Sequence, residues 1–315
     1  RIKQDDSSVP YLYKDYWYQT RFEEGKEYPI HVRRKGSMDA PEEIMLDVNV
    51  MAEGKAFYQV ANWELSPDQT LLAYVEDSVG RRQYTLRVKN LATGETLPVE
   101  INGLSASLAW STDGSTIYYV ENDPVTLLTK RVKAHRLGSD PATDAVVYEE
   151  RDESFYMGVG LTRSEQYVCI YVSSTVSSEQ RCAPAADPGE FVVIAPRERD
   201  FEYSADHLAG RWVIRTNWNA QNFKLMTAPE GSWGDRTQWS DLLPHDPEVF
   251  ISGVQLFDGF LAVGERSGGL TRIRLMREGR DHEYVAADES AYTMGLLRSL
   301  PGARLGDALV AADDL

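Results

Sequence analysis

The most restrictive feature of this chain is a phrase written twice. Residues 63–77 read "WELSPDQTLLAYVED", and residues 108–122, 45 positions later, read "LAWSTDGSTIYYVEN". Each copy runs from a large apolar residue through a Ser-x-Asp turn into an apolar-aromatic run that reaches Val-Glu. Aligning Ser66 with Ser111 places Tyr74 on Tyr119 and Glu76 on Glu121. Fainter copies follow at 161–174 ("LTRSEQYVCIYVSS", 51 positions on), at 204–217 and at 256–269. A recurrence of this length is the mark of a repeat architecture.

Within each unit the local grammar is that of strands. Runs of Val, Ile, Leu, Tyr and Trp are separated by turn residues such as Asp113-Gly114, Asp258-Gly259 and Gly268-Gly269. The stretch "QYTLRVKNL" at 83–91 alternates as a strand with one buried face must. No segment carries three turns of amphipathic helix. Several short strands every 45 to 51 residues describe a β-propeller blade. A period of ~47 residues gives roughly 6.7 units in the chain. The expectation is therefore an all-β fold, a β-propeller with blades near 9–55, 56–100, 101–152, 153–199, 200–249 and 250–287. "DESAYTMGL" at 288–296 then supplies the first strand of a seventh.

Charge narrows the partners. The chain carries 49 acidic and 33 basic residues, a net −16, which argues against nucleic acid or an anionic membrane as partner. A field of that sign favours cationic ligands. No apolar run approaches the roughly 18 residues of a membrane span. Cys169 reads as a buried small hydrophobe and Cys182 as part of a polar loop. Two cysteines so placed indicate no disulfide framework and fit a reducing compartment. The chain starts at Arg1, with no signal peptide behind it, and reads as beginning inside a longer protein.

Residues 2–36, "IKQDDSSVPYLYKDYWYQTRFEEGKEYPIHVRRKG", resemble the entry into the propeller of oligopeptidase B, in the prolyl oligopeptidase family of serine peptidases. The "WELSPDQTLLAYVED" and "LAWSTDGSTIYYV" stretches resemble that family's second and third blades, and "DESAYTMGL" its lead into the seventh. The resemblance covers 2–296. It implies a cytoplasmic, cofactor-free endopeptidase that cuts short peptides after Arg or Lys. In such proteins a seven-bladed propeller caps an α/β-hydrolase domain. By this reading, 1–296 is an incomplete propeller and the hydrolase domain is absent. The tail 297–315 departs from the family. It reads as a frameshifted or prematurely ended frame, with a short helix as the alternative.

The residues themselves offer little chemistry. "GLSAS" at 103–107 is the nearest approach to a G-x-S-x-G elbow, but it lacks the second Gly and leads into a strand. His31, His135, His207, His245 and His282 fall in different blades. The adjacent pair His245-Asp246 cannot aim both side chains at one site. "GVGLTR" at 158–163 opens a strand, not a helix. The mixed-charge runs "RERDFE" at 197–202 and "VYEERDES" at 147–154 read as solvated loops. The aromatic runs "YWYQTRF" and "TNWNAQNF" read as packing between blades. No catalytic, cofactor-binding or metal-ligating residue is expected. The leading expectation is a substrate-gating propeller without hydrolysis of its own. A free-standing propeller scaffold for a protein or peptide partner is the alternative.

Overall fold

The repeated phrase folds the same way each time because its polar residues tie the same knot. Ser66 Oγ donates to Asp68 (2.6 Å) and accepts from the Leu71 N–H (2.9 Å), while Asp68 caps the Thr70 N–H (3.1 Å). Ser111, Asp113 and Thr116 reproduce this at 2.6 and 2.9 Å, with the Ser115 N–H on Asp113 at 3.0 Å. In the third copy Thr162 and Ser164 stand in for Ser and Asp, 3.0 Å apart. The fourth turn residue takes positive φ in all three, at Gln69, Gly114 and Glu165. Side chains competing for backbone donors favour a turn over a continuing strand.

The computed structural model describes residues 5–287, 292–296 and 310–313. Blade one is β1 (Tyr11–Tyr13), β2 (Tyr16–Arg21), β3 (Ile30–Lys35) and β4 (Glu42–Asp47). A single helical turn, α1 (Val48–Ala52), capped by Asp47, leads on to blade two. That blade holds β5 (Gln59–Leu65), β6 (Leu71–Asp77) and β7 (Tyr84–Asn90). The long β8 (Ile101–Trp110) belongs to two blades. Its first half pairs with β7 and its second half with β9 (Thr116–Asn122). Blade three continues through β9 to β10 (Thr129–Arg136) and β11 (Ala145–Glu149). Blades two and three are thus one seven-stranded sheet.

Blade four is β12 (Tyr156–Leu161), β13 (Tyr167–Ser173), β14 (Ser178–Pro184) and β15 (Val192–Ala195). Blade five is β16 (Tyr203–Leu208), β17 (Arg211–Thr216), β18 (Lys224–Pro229) and β19 (Ser240–Leu243). Blade six is β20 (Phe250–Phe257), β21 (Phe260–Ser267), β22 (Leu270–Arg277) and β23 (Glu283–Tyr284). Each is an antiparallel meander in sequence order. The expected blade limits hold to within a few residues. The strand expected to open a seventh blade is β24 (Thr293–Leu296), with Met294 buried against Phe257, Phe260 and Ile273 of blade six. It pairs with β25 (Val310–Asp313). The short-helix alternative for the tail therefore meets strand at 310–313; the rest of 297–315 lies outside the described residues.

The core is divided among the seams. Among the described residues six apolar clusters form, and each joins one blade to the next. Tyr18 and Met45 meet Leu72 and Tyr74 between blades one and two. Leu86 and Val88 meet Trp110 and Tyr119 between two and three. Val120 and Val132 meet Val159 and Ile170 between three and four. The remaining three follow the same rule. Sheets stacked face to face bury their inner sides in this way. The aromatic runs do pack the seams: Tyr18 donates to Gln69 of blade two (2.7 Å), and Phe223 meets Phe250 edge-on across blades five and six.

One expectation fails here and another holds only in part. Cys182 is not in a polar loop: it lies in β14, fully buried, directly opposite Cys169 of β13, and the two form a disulfide. The mixed-charge runs are solvated only in part: residues 151–154 and 198–200 are exposed, but Glu150 and Arg197 are drawn into a seam. Arg197 reaches Glu150 (2.6 Å) and Glu179 (3.5 Å), whose side chains are only 7% and 6% exposed. Arg197 also lies over the Phe155 ring. Burial opposes ionisation of both carboxylates, but the guanidinium prevails and holds them below their ordinary range. The sequence shows the charges and not the seam that closes over them.

Candidate functional site

The first strands of blades two to six line one axial space, and, apart from the first half of β8, each lacks a strand partner on its inner side. Side chains from neighbouring blades take up its free backbone groups. Ser107 Oγ both donates to the Val159 carbonyl and accepts from the Val159 N–H, each at 2.9 Å. Gln180 does the same for Ala205, at 2.8 and 2.9 Å. Ser178 does so for Tyr203, at 2.8 and 2.6 Å. The Thr129 and Thr271 hydroxyls accept from Met157 and Met294. Trp110 Nε1 donates to the Glu64 carbonyl at 3.0 Å. These bridges fix the width of the axial space.

A cavity of about 410 Å³ lies on that axis, walled by residues of β5, β8, β12, β16 and β20. Its charged lining, among the described residues, is Glu64, Arg163, Glu165 and Asp206, three acids to one base. Glu64 is next to last in β5, Arg163 and Glu165 sit in the β12–β13 turn, and Asp206 is in β16. Asp206 accepts the backbone N–H of Arg163 (2.7 Å) and of His207 (2.8 Å). Glu165 takes the Tyr13 hydroxyl and lies 3.4 Å from Lys14 Nζ. Burial, then the Glu165 charge, pushes the Tyr13 hydroxyl far above its ordinary value, so it stays a donor. Trp63 and Tyr171 add aromatic surface. Carboxylates and ring faces around one space suit an ammonium or guanidinium group.

The histidines do not meet there. His31 (β3) shares a bond with Thr20 (3.1 Å) and meets Trp63 edge-on; burial lowers it to about 4. His135 is fully buried beside Asp144 (2.9 Å), which also accepts from Tyr119 (2.9 Å). His207 Nδ1 is 2.8 Å from Ser164 Oγ and its Nε2 is 3.8 Å from Glu230. That order of groups resembles a hydrolytic relay. However, the His207 side chain has no exposed surface, enclosed by Tyr167 and Trp212, and burial lowers its basicity. Ser164 belongs to the turn described above. The array locks blade four to blade five and offers a substrate no access to the imidazole. His245 accepts from the Asn222 N–H (3.3 Å) while Asp246 takes Glu248 (2.9 Å), so the pair does look in different directions. His282 lies 3.2 Å from Arg274. "GLSAS" lies inside β8, not at an elbow, and "GVGLTR" begins within β12.

The acidic lining went unread in the sequence. Its signal was there: Glu165 replaces Gln69 and Gly114 at the fourth place of the repeated turn, and Glu64 precedes the first turn by two. Only the gathering of the blades about one axis makes neighbours of residues 64, 165 and 206.

The pattern of the prolyl oligopeptidase N-terminal β-propeller domain matches residues 1–309. Dipeptidyl aminopeptidase BI of Pseudoxanthomonas mexicana is 52% identical over 94% of the chain, and Protease 2 of Moraxella lacunata 28% identical over 94%. The chain spans 43% and 44% of those two relatives. Among solved structures, oligopeptidase B of Leishmania major superposes with a TM-score of 0.86 at 29% identity. That of Trypanosoma brucei gives 0.85 at 26%. Each match covers 94% of this chain and 43% of the solved one.

Proposed function

The chain belongs to the prolyl oligopeptidase family, as its N-terminal β-propeller domain, and on that premise we propose that it is the substrate gate of a serine peptidase acting on short cationic peptides. It performs no hydrolysis itself. Bond cleavage belongs to the part of the relatives' length that this chain does not span. The observation that carries the reading is the axial cavity, where Glu64, Glu165 and Asp206 outnumber Arg163. In a molecule of net −16, such a space concentrates cations and holds back anions. The preferred cut follows Arg or Lys. The name of the 52% identical relative, dipeptidyl aminopeptidase, adds the charged amino terminus of a peptide as a second group to accommodate.

Two measurements test the reading. The chain alone, given a chromogenic Arg-Arg substrate, is expected to match a serine-blocked control; turnover above that control refutes the inactivity. In the protein that carries its peptidase portion, Glu165→Gln with Asp206→Asn is expected to raise KM for dibasic peptides a few-fold and leave neutral peptides unchanged. Equal loss on both peptide classes would remove the electrostatic gate.

A further inference from the structure

Cys169 and Cys182 face each other across β13 and β14, with Cα atoms 4.1 Å apart. Such spacing is that of a directly opposed antiparallel pair. Both residues have no exposed surface. They lie in the cluster that joins blade four to blade five, beneath Tyr167, Trp212, Ile214 and Met226. Gln180, which donates to Cys182 Sγ at 3.5 Å, also clamps both backbone groups of Ala205 in blade five. The sulfur atoms are therefore sealed by the next blade.

Thiol–disulfide exchange requires a thiolate to approach a disulfide sulfur. After the seam has closed, no second protein can reach either cysteine. We infer that this disulfide is made by a protein dithiol–disulfide oxidant while blade five is still unpacked, and that the chain therefore folds in an oxidising compartment. One cysteine thiolate attacks the oxidant's disulfide to give a mixed disulfide and one thiol on the oxidant. The second cysteine thiolate displaces the oxidant's other sulfur. The chain loses two protons and two electrons, and the oxidant leaves as a dithiol. The expected reducing compartment drew on cysteines taken to be unpaired, and that premise is gone; the cytoplasmic setting came with the family resemblance, and folding in an oxidising compartment stands against it.

The test is made on the protein from its own cells, lysed into denaturant with N-ethylmaleimide. The expected result is a proteolytic fragment pair joined through Cys169 and Cys182, with no maleimide on either. Maleimide on both overturns the inference. A second measurement addresses the order of events. Protein reduced in denaturant, refolded without oxidant and then given oxidised glutathione is expected to keep both thiols, while the same protein held unfolded oxidises. Native oxidation at the unfolded rate would overturn the claim that the seam seals the pair.

Discussion

At the scale of single residues, buried histidines begin the decline of this fold in acid. Burial lowers His31 to about 4 and lowers His207 as well. An unfolded chain binds a proton at each near pH 6.5, where the folded chain refuses it. Stability is therefore whole above that value and falls as pH drops from about 6.5 toward 4. Thermal midpoints across this range should decline, and His31→Gln should flatten the slope; an unchanged slope would remove His31 from the account. Gly114 is the other informative residue. Its φ of +68° is left-handed, and an added Cβ would meet Pro67 at an ordinary 3.5 Å. Gly114→Ala should thus cost about 1 kcal/mol through backbone strain alone. Denaturant unfolding reads this directly. The turn was legible in the sequence because its ligands lie within five residues. The burial of His207, and of Asp144 against His135, depends on neighbours the sequence does not bring near.

At the scale of elements, strands and turns were legible and their seams were not. A period-two pattern shows that a strand has a buried face and says nothing of which blade covers it. "RERDFE" and "VYEERDES" show the consequence: read singly they look solvated, yet Arg197 ties Glu150 to Glu179 between blades three and four. Cys182 misled for the same reason, since charge and small residues flank it. Arg197→Ala should leave Glu150 buried without its cation, while Glu179 keeps Arg181 at 2.7 Å, at a cost of about 3 kcal/mol. Arg197→Lys should recover little, because an ammonium cannot span both carboxylates as a planar fork does. Full recovery by lysine would show that charge alone suffices.

At the scale of the molecule, stability is mainly a sum over seams between neighbouring blades, with contacts across the axial space, such as Tyr13 and Lys14 of blade one on Glu165 of blade four, added to it. The axial cavity exists because the seams stagger the first strands around one axis, and the acids lining it come from blades two, four and five. The count of repeats foretold the blades; the register that brings 64, 165 and 206 together could not be read before the blades stood around one axis.

The seams are not alike in kind. Most are pressed together by side chains, as staves are in a cask, but β8 passes from blade two into blade three as one strand, paired with β7 and then, across a bulge between Leu104 and Leu108, with β9. Torque on one of these two leaves is carried into the other by backbone hydrogen bonds, so they swing as one plate. Any breathing of the ring must spend itself at the remaining joints. Amide exchange near Leu86 and Leu104 should accordingly be the slowest of any joint, and rapid exchange there would mean that the weld is no stiffer than its neighbours.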